Sequence, residues 1–184
     1  MEFPAVKGTF GEASVGSIAP PFTLPGQGFQ NFSLSSLNEG HKVVLAFFPA
    51  AFSTGAARGV DELLRDLNDH YSDIRKAGYR VAAISQELPF VMEAFRKEMN
   101  LQFPVLSDAS LEVSNSYVGS FDLGAFLDEI GLSKDLAGYM TCNRAVVVIE
   151  ENGTISYKWT AKKQEKPHPG VFPDWTELQE IFLS

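Results

Sequence analysis

Two short apolar runs with an amphipathic stretch between them restrict this chain more than any other feature. VVLAFF at 43–48 and YRVAAIS at 79–85 are unbroken sets of branched, aromatic and small side chains, the pattern of strands buried on both faces. Between them Val60, Leu63, Leu64, Leu67, Tyr71 and Ile74 recur at helical spacing, while Asp61, Glu62, Arg65, Asp66 and Asn68 fill the other side. Gly78 supplies the stop before the second strand. A strand, a long helix and a second strand return to one sheet as a crossover, so the two strands are expected to be parallel and central.

The rest of the chain is read around that unit. RAVVVIEENGTISYKWT carries two branched runs on either side of Glu151-Asn152-Gly153, which predicts a hairpin and an antiparallel pair. LPFVMEAFRKEMNL predicts a second helix, FPVLSD a short extended piece and SLEVSNSYV a third helical stretch. PDWTELQEIFL closes the chain as a helix with Trp175, Leu178, Ile181 and Phe182 on one face and Asp174 as its cap. Residues 8–28 are rich in Gly, Pro and Ser and read as an extended arm, and NFSLSSL reads as a strand edge with a turn. SFDLGAFLDEIGLSKDLAGYMT, with its 123–140 segment, reads as an inserted loop holding a helical turn or two, and KKQEKPHPG at 162–170 as a solvated loop whose charges form no site. The expected fold is α/β and thioredoxin-like, a central mixed β-sheet flanked by helices on both faces. One domain over residues 1–184 suffices, because an apolar fraction of 45% fills a single core of that size.

A formal net charge of −8 repels nucleic acid and anionic membrane surfaces, and no segment reaches the roughly 20 apolar residues of a membrane-spanning helix. MEFPAVKGTFGEASVG has no basic stretch followed by an apolar run, so no secretory signal is expected. The single cysteine, Cys142, allows no internal disulfide and no cysteine-based metal cluster, and it points to a cytoplasmic home. His41, His70 and His168 sit at unrelated spacings and read as surface residues, not ligands. Neither a cofactor nor a metal is expected.

In an open α/β sheet chemistry collects where strands end and helices begin, and here that place is FFPAAFSTGAARGVDEL at 47–63. Pro49 sets the exit of the strand, Ser53 or Thr54 can cap the helix or donate to a ligand oxygen, and Gly55 admits close backbone approach. Arg144, opening the hairpin beside the central strand, would bind an anion or lower the pKa of a nearby thiol there; paired with Glu150 or Glu151 it would be a surface ion pair instead. Cys142 and Arg144 are two apart, so they share a side if the strand already begins at 142. Cys142 then reads either as a displaced reactive thiol or as a small buried hydrophobe.

PPFTLPGQGFQNFSLSSL, VVLAFFPAAFSTGAARGVDEL, LQFPVLSDASLEVSNSYVG and NRAVVVIEENGTI, in that order and spacing, resemble the peroxiredoxin family of thiol peroxidases, the AhpC/TSA type, and most of all its one-cysteine bacterial members. That family's active-site pattern is Pro-x-x-x-Thr/Ser-x-x-Cys. Here Pro49 and Ser53 match, Arg144 matches the family's arginine, and Ala56 stands at the position of the peroxidatic cysteine. Gly59 replaces the glutamate that many members carry shortly after it. The resemblance implies a pocket for a hydroperoxide or small anion, in which a thiolate would attack the O–O bond while arginine and hydroxyl polarise it. A methyl group at 56 cannot attack, so the expectation is a peroxiredoxin-like protein without peroxidase activity as given. The alternatives are a non-catalytic module that binds an anion or a protein, and redox activity through Cys142, which alone would call for a thiol reductant. The resemblance also implies a homodimer, with Phe48 and Phe52 near the contact face; by pattern Phe47, Phe48 and Phe52 are core or interface residues.

Overall fold

In the computed structural model, residues 6–53 and 61–183 are described. The chain opens with β1 (Thr23–Pro25), β2 (Asn31–Ser33), α1 (Leu34–Asn38) and β3 (Lys42–Phe47). After the strand end come α2 (Asp61–Asp69), α3 (Tyr71–Lys76), β4 (Tyr79–Ser85), α4 (Pro89–Glu98), β5 (Val105–Ser107) and α5 (Glu112–Tyr117). β6 (Ser120–Asp122), α6 (Leu123–Glu129), β7 (Met140–Cys142), β8 (Ala145–Ile149), β9 (Ile155–Thr160), β10 (Lys162–Lys163), β11 (Lys166–Pro167) and α7 (Trp175–Leu183) complete it.

The central sheet has the order β5-β4-β3-β8-β9. β3 runs parallel to β4 and β4 to β5, as the crossover requires, whereas β8 joins the other side of β3 antiparallel and carries β9 with it. Alternate residues of β3 feed two separate cores. Val44, Ala46 and Phe48 meet Leu63, Leu64, Leu67, Ile74, Phe95, Leu178 and Phe182 from the helices of one face. Val43, Leu45 and Phe47 meet Phe22, Leu34, Leu37, Tyr117 and Val118 on the other. Helices cover both faces, and the fold is α/β and thioredoxin-like.

The structure differs from the sequence reading in five places. NFSLSSL continues from its strand into the helix α1 instead of a turn, because Ser33 caps it by accepting from Ser36 N–H at 3.1 Å. The long helix after the strand end is two helices, because His70 takes a non-helical backbone (φ −101°, ψ 8°) while its Nδ1 pairs with the Asp66 carbonyl at 3.0 Å and its ring packs on Trp175. The 120–142 segment is ordered: β6 and β7 pair antiparallel around α6, and Val6, Phe121 and Phe126 form a small core there. Gly124 is required in it, since a Cβ would meet the Leu136 carbonyl oxygen at 1.6 Å. The 162–170 loop is solvated only in its first half; Pro167 and His168 are buried, which also corrects the surface reading of that histidine. Phe48, expected near a contact face, is fully buried and stacked on Phe95.

The N-terminal arm closes one sheet edge. Gly16 N–H donates to the Ile155 carbonyl and Ile155 N–H to that of Ser17, while Lys158 Nζ reaches the carbonyls of Gly11 (3.2 Å) and Ala13 (2.6 Å). An arm laid along an edge strand removes its free hydrogen-bonding groups. No helix among the described residues is long and apolar enough to cross a membrane.

Candidate functional site

The end of β3 is built from buried polar contacts. Phe48 N–H still pairs with the Ile84 carbonyl at 3.0 Å, and the chain then leaves the sheet at Pro49. The Pro49 carbonyl accepts from the Thr141 hydroxyl, which also lies 2.6 Å from Oε1 of buried Gln86, with Ser85 Oγ 2.8 Å from the same oxygen. One hydroxyl proton cannot serve two carbonyl oxygens, so the Gln86 amide is better turned with its NH2 toward Thr141. Strands β3, β4 and β7 are thereby joined at their ends by a side-chain network. Ser53 turns its hydroxyl inward to the Ala50 carbonyl at 3.2 Å, a local turn bond. Phe52 has a left-handed backbone (φ 59°) and an exposed ring set edge-on to Phe95. Glu87, just past β4, receives the Ala51 N–H, and partial burial raises its carboxyl above the ordinary range. Ala56, Thr54, Gly55 and Gly59 lie outside the described residues.

Cys142 and Arg144 do not share a strand. β8 begins at Ala145, and Cys142 ends β7, paired with Ser120. Asn143 and Arg144 form the break between them, so the alternation needed for a shared face is interrupted. Cys142 is fully buried in the apolar core that holds Phe47, Ala145 and Val147, and its thiol donates to the Phe48 carbonyl at 3.1 Å. Burial, assisted by the Asp108 carboxylate, pushes this thiol up to about 12. At neutral pH it is protonated and shielded, the opposite of what a nucleophilic thiolate requires.

Arg144 is buried as well, at 3% exposure, and its ion-pair alternative is not realised: Glu150 pairs with Lys42 at 3.3 Å. Nη1 donates to the main-chain carbonyls of Pro169 and Val171, the latter at 3.2 Å, and the guanidinium lies 4.0 Å from the centre of the Phe172 ring. Among the described residues Nε has no hydrogen-bond partner. Desolvation pulls the guanidinium down to about 10, opposed by Cys142 and Glu62, so it remains a cation at neutral pH. Glu62, three residues after Gly59 in the sequence, is thus a carboxylate whose charge reaches this arginine.

The expected site residues gather at one end of β3, where Phe47 pairs with Ala145 and so brings Arg144 beside the strand exit, but they bond to different partners. Pro49, Ser53 and the Thr141–Gln86 network form the strand end, while Arg144 is engaged with the segment before α7. Sequence reasoning passed over Glu62, Gln86, Thr141 and Phe172; only Glu62 carried a signal, as an acidic residue in the first turn of the helix. Among the described residues no group of His, Cys, Asp and Glu is arranged to hold a metal ion.

Comparison with known proteins bears on this arrangement. The AhpC/TSA family profile matches residues 15–158. A protein named as a peroxiredoxin in Mycobacterium tuberculosis is 32% identical over 140 residues, 76% of this chain and 80% of its own length. One named as the peroxiredoxin bcp in Coxiella burnetii is 32% identical over 149 residues, 81% of this chain and 89% of its own length. Among solved structures, the peroxidoxin BcpB from Mycobacterium tuberculosis superposes with a TM-score of 0.65 at 21% identity, covering 81% of this chain and 86% of that one.

Proposed function

This chain belongs to the AhpC/TSA family of peroxiredoxins, and on that premise we propose that it is a member of this thiol-dependent antioxidant lineage that does not itself reduce hydroperoxides. The observation that carries the reading is the state of its single cysteine: Cys142 is fully buried, bonded to the Phe48 carbonyl and held protonated far above neutral pH. Attack on an O–O bond needs an exposed thiolate that can take up an oxygen atom, and the residue at the family's peroxidatic position, Ala56, has none to offer. Redox chemistry through Cys142 is disfavoured by the same burial, and with it the need for a thiol reductant. The test is hydrogen peroxide consumption with a dithiol reductant in the chain as it stands and in Ala56→Cys. The expected result is no turnover in the first and measurable turnover in the second. Turnover in the unaltered chain that is abolished by Cys142→Ala would overturn the reading.

A second reading, a module that binds a small anion, draws on the charged Arg144 that persists without a nucleophile beside it. Association as a homodimer is part of the proposal, supported by the exposed Phe29, Phe52, Leu88 and Phe90, two of whose rings (Phe29 and Phe90) already meet edge to face with centroids 5.3 Å apart. Gel filtration that stays monomeric over a wide concentration range would remove that part. A cytoplasmic setting is proposed with it, in keeping with a lone reduced thiol.

A further inference from the structure

The segment that links β11 to α7 occupies Arg144 from one side to the other. Two consecutive-turn carbonyls, of Pro169 and Val171, take its Nη1, and the Phe172 ring lies flat enough to bring its centre within 4.0 Å of the guanidinium carbon. Phe172 itself is half-buried, so it stands between the arginine and solvent. Behind it the gap toward Glu62, Asp66 and Trp175 measures about 10 Å³, room for one water at most. The strap is short and stiff, with Pro169 and Pro173 bracketing Gly170, Val171 and Phe172. Among the described residues its main-chain bonds are His168 N–H to the Ala161 carbonyl at 3.2 Å and Val171 N–H to that of His168 at 3.1 Å, with buried His168 as its anchor.

We propose that residues 168–172 are an internal plug, holding Arg144 in place of an external anion, so that a carboxylate- or sulfate-sized ligand reaches the guanidinium only when this strap swings away. The proposal rests on the reading of Arg144 as a retained anion-binding group. Its physical basis is an unequal match. The Glu62 carboxylate acts on the guanidinium through its charge, whereas the groups bonded to it or stacked on it are neutral carbonyls and an aromatic face, which satisfy a buried cation less strongly than a bound anion does; among the described residues Nε has no hydrogen-bond partner, and it is the donor that a bidentate oxyanion would use next to Nη2. The strap therefore competes with a ligand without being able to replace all of its bonds.

The experiment titrates inorganic sulfate into the unaltered chain and into Phe172→Ala, following the Arg144 Nε–H and backbone amide resonances by NMR. Removing the ring should tighten sulfate binding roughly tenfold, the size of one partly desolvated cation–π contact, and adding Arg144→Gln should cancel the gain. If Phe172→Ala does not fold, Phe172→Leu keeps most of the volume without the aromatic face, and the same direction of change is expected. Equal sulfate affinity in the unaltered chain and a folded Phe172 variant would overturn the plug, as would a gain that survives Arg144→Gln. An Ala56→Cys that stays peroxide-inactive even when combined with Phe172→Ala, with the sulfate gain intact, would remove the peroxidatic reading of the pocket and leave the plug standing. The reverse pair of results would remove the plug alone.

Discussion

Cys142 and Arg144 are two residues apart and equally hidden, yet burial has opposite consequences for them. Desolvation disfavours whichever form is charged, so it raises the thiol to about 12 and lowers the guanidinium to about 10. Both move toward neutrality, but only the thiol arrives there at physiological pH. The thiol is small enough to sit among Phe47, Ala145 and Val147 with one weak bond to Phe48. The guanidinium stays charged and must be answered, and the strap answers it with two carbonyls and a ring. A buried cysteine can thus be silent filling, whereas a buried arginine dictates what packs over it.

The sharpest break of this contrast would be a reactive Cys142. Alkylation by iodoacetamide at neutral pH should be at least about 10³-fold slower in the folded chain than in denaturant, since a thiol raised from 9.0 to about 12 offers that much less thiolate; comparable rates would end the comparison. Next in size, Arg144→Met should lower stability by about 2–4 kcal/mol in chemical denaturation, because the Pro169 and Val171 carbonyls lose a charged donor while remaining covered.

The pH dependence of stability tests the thiol side below the range near 10 where Arg144 begins to lose its own proton and pulls the curve the other way. The folded thiol keeps its proton to about 12, while the unfolded one releases it near 9.0. Between pH 9 and 10 the unfolded state therefore binds fewer protons, and stability falls as pH rises by up to about 1.4 kcal/mol per pH unit. The contribution is fully present below pH 9, and Cys142→Ala should flatten this part of the curve. The smallest effect is expected at the neighbouring network. Thr141→Val removes the donor to Pro49 and should cost about 1 kcal/mol by the same denaturation measurement, well below the loss at Arg144.

Much of the frame was legible before any coordinate. The alternation hidden in VVLAFF sends Val43, Leu45 and Phe47 to one core and Val44, Ala46 and Phe48 to the other, and an unbroken apolar run states that both faces are covered. The hairpin at Glu151-Asn152-Gly153 was legible because turn chemistry is local. The break at His70 was not: its ring answers Trp175, more than a hundred residues away in the chain. Nor was the β6–β7 pair, whose strands are separated by α6 and meet only because Gly124 lets Leu136 close on it.

At the site the division is the same. By itself the sequence determined the sheet, the proline at the strand exit, the alanine at 56 and the lone cysteine, all of which are matters of residue identity and short-range pattern. Tertiary structure alone decided that Cys142 is buried and protonated, that the Glu62 charge reaches Arg144, and that Pro169, Val171 and Phe172 fill the place around that arginine. Main-chain carbonyls carry no signature in a sequence, since every residue has one. Which of them a buried cation will meet depends on where distant segments come to rest.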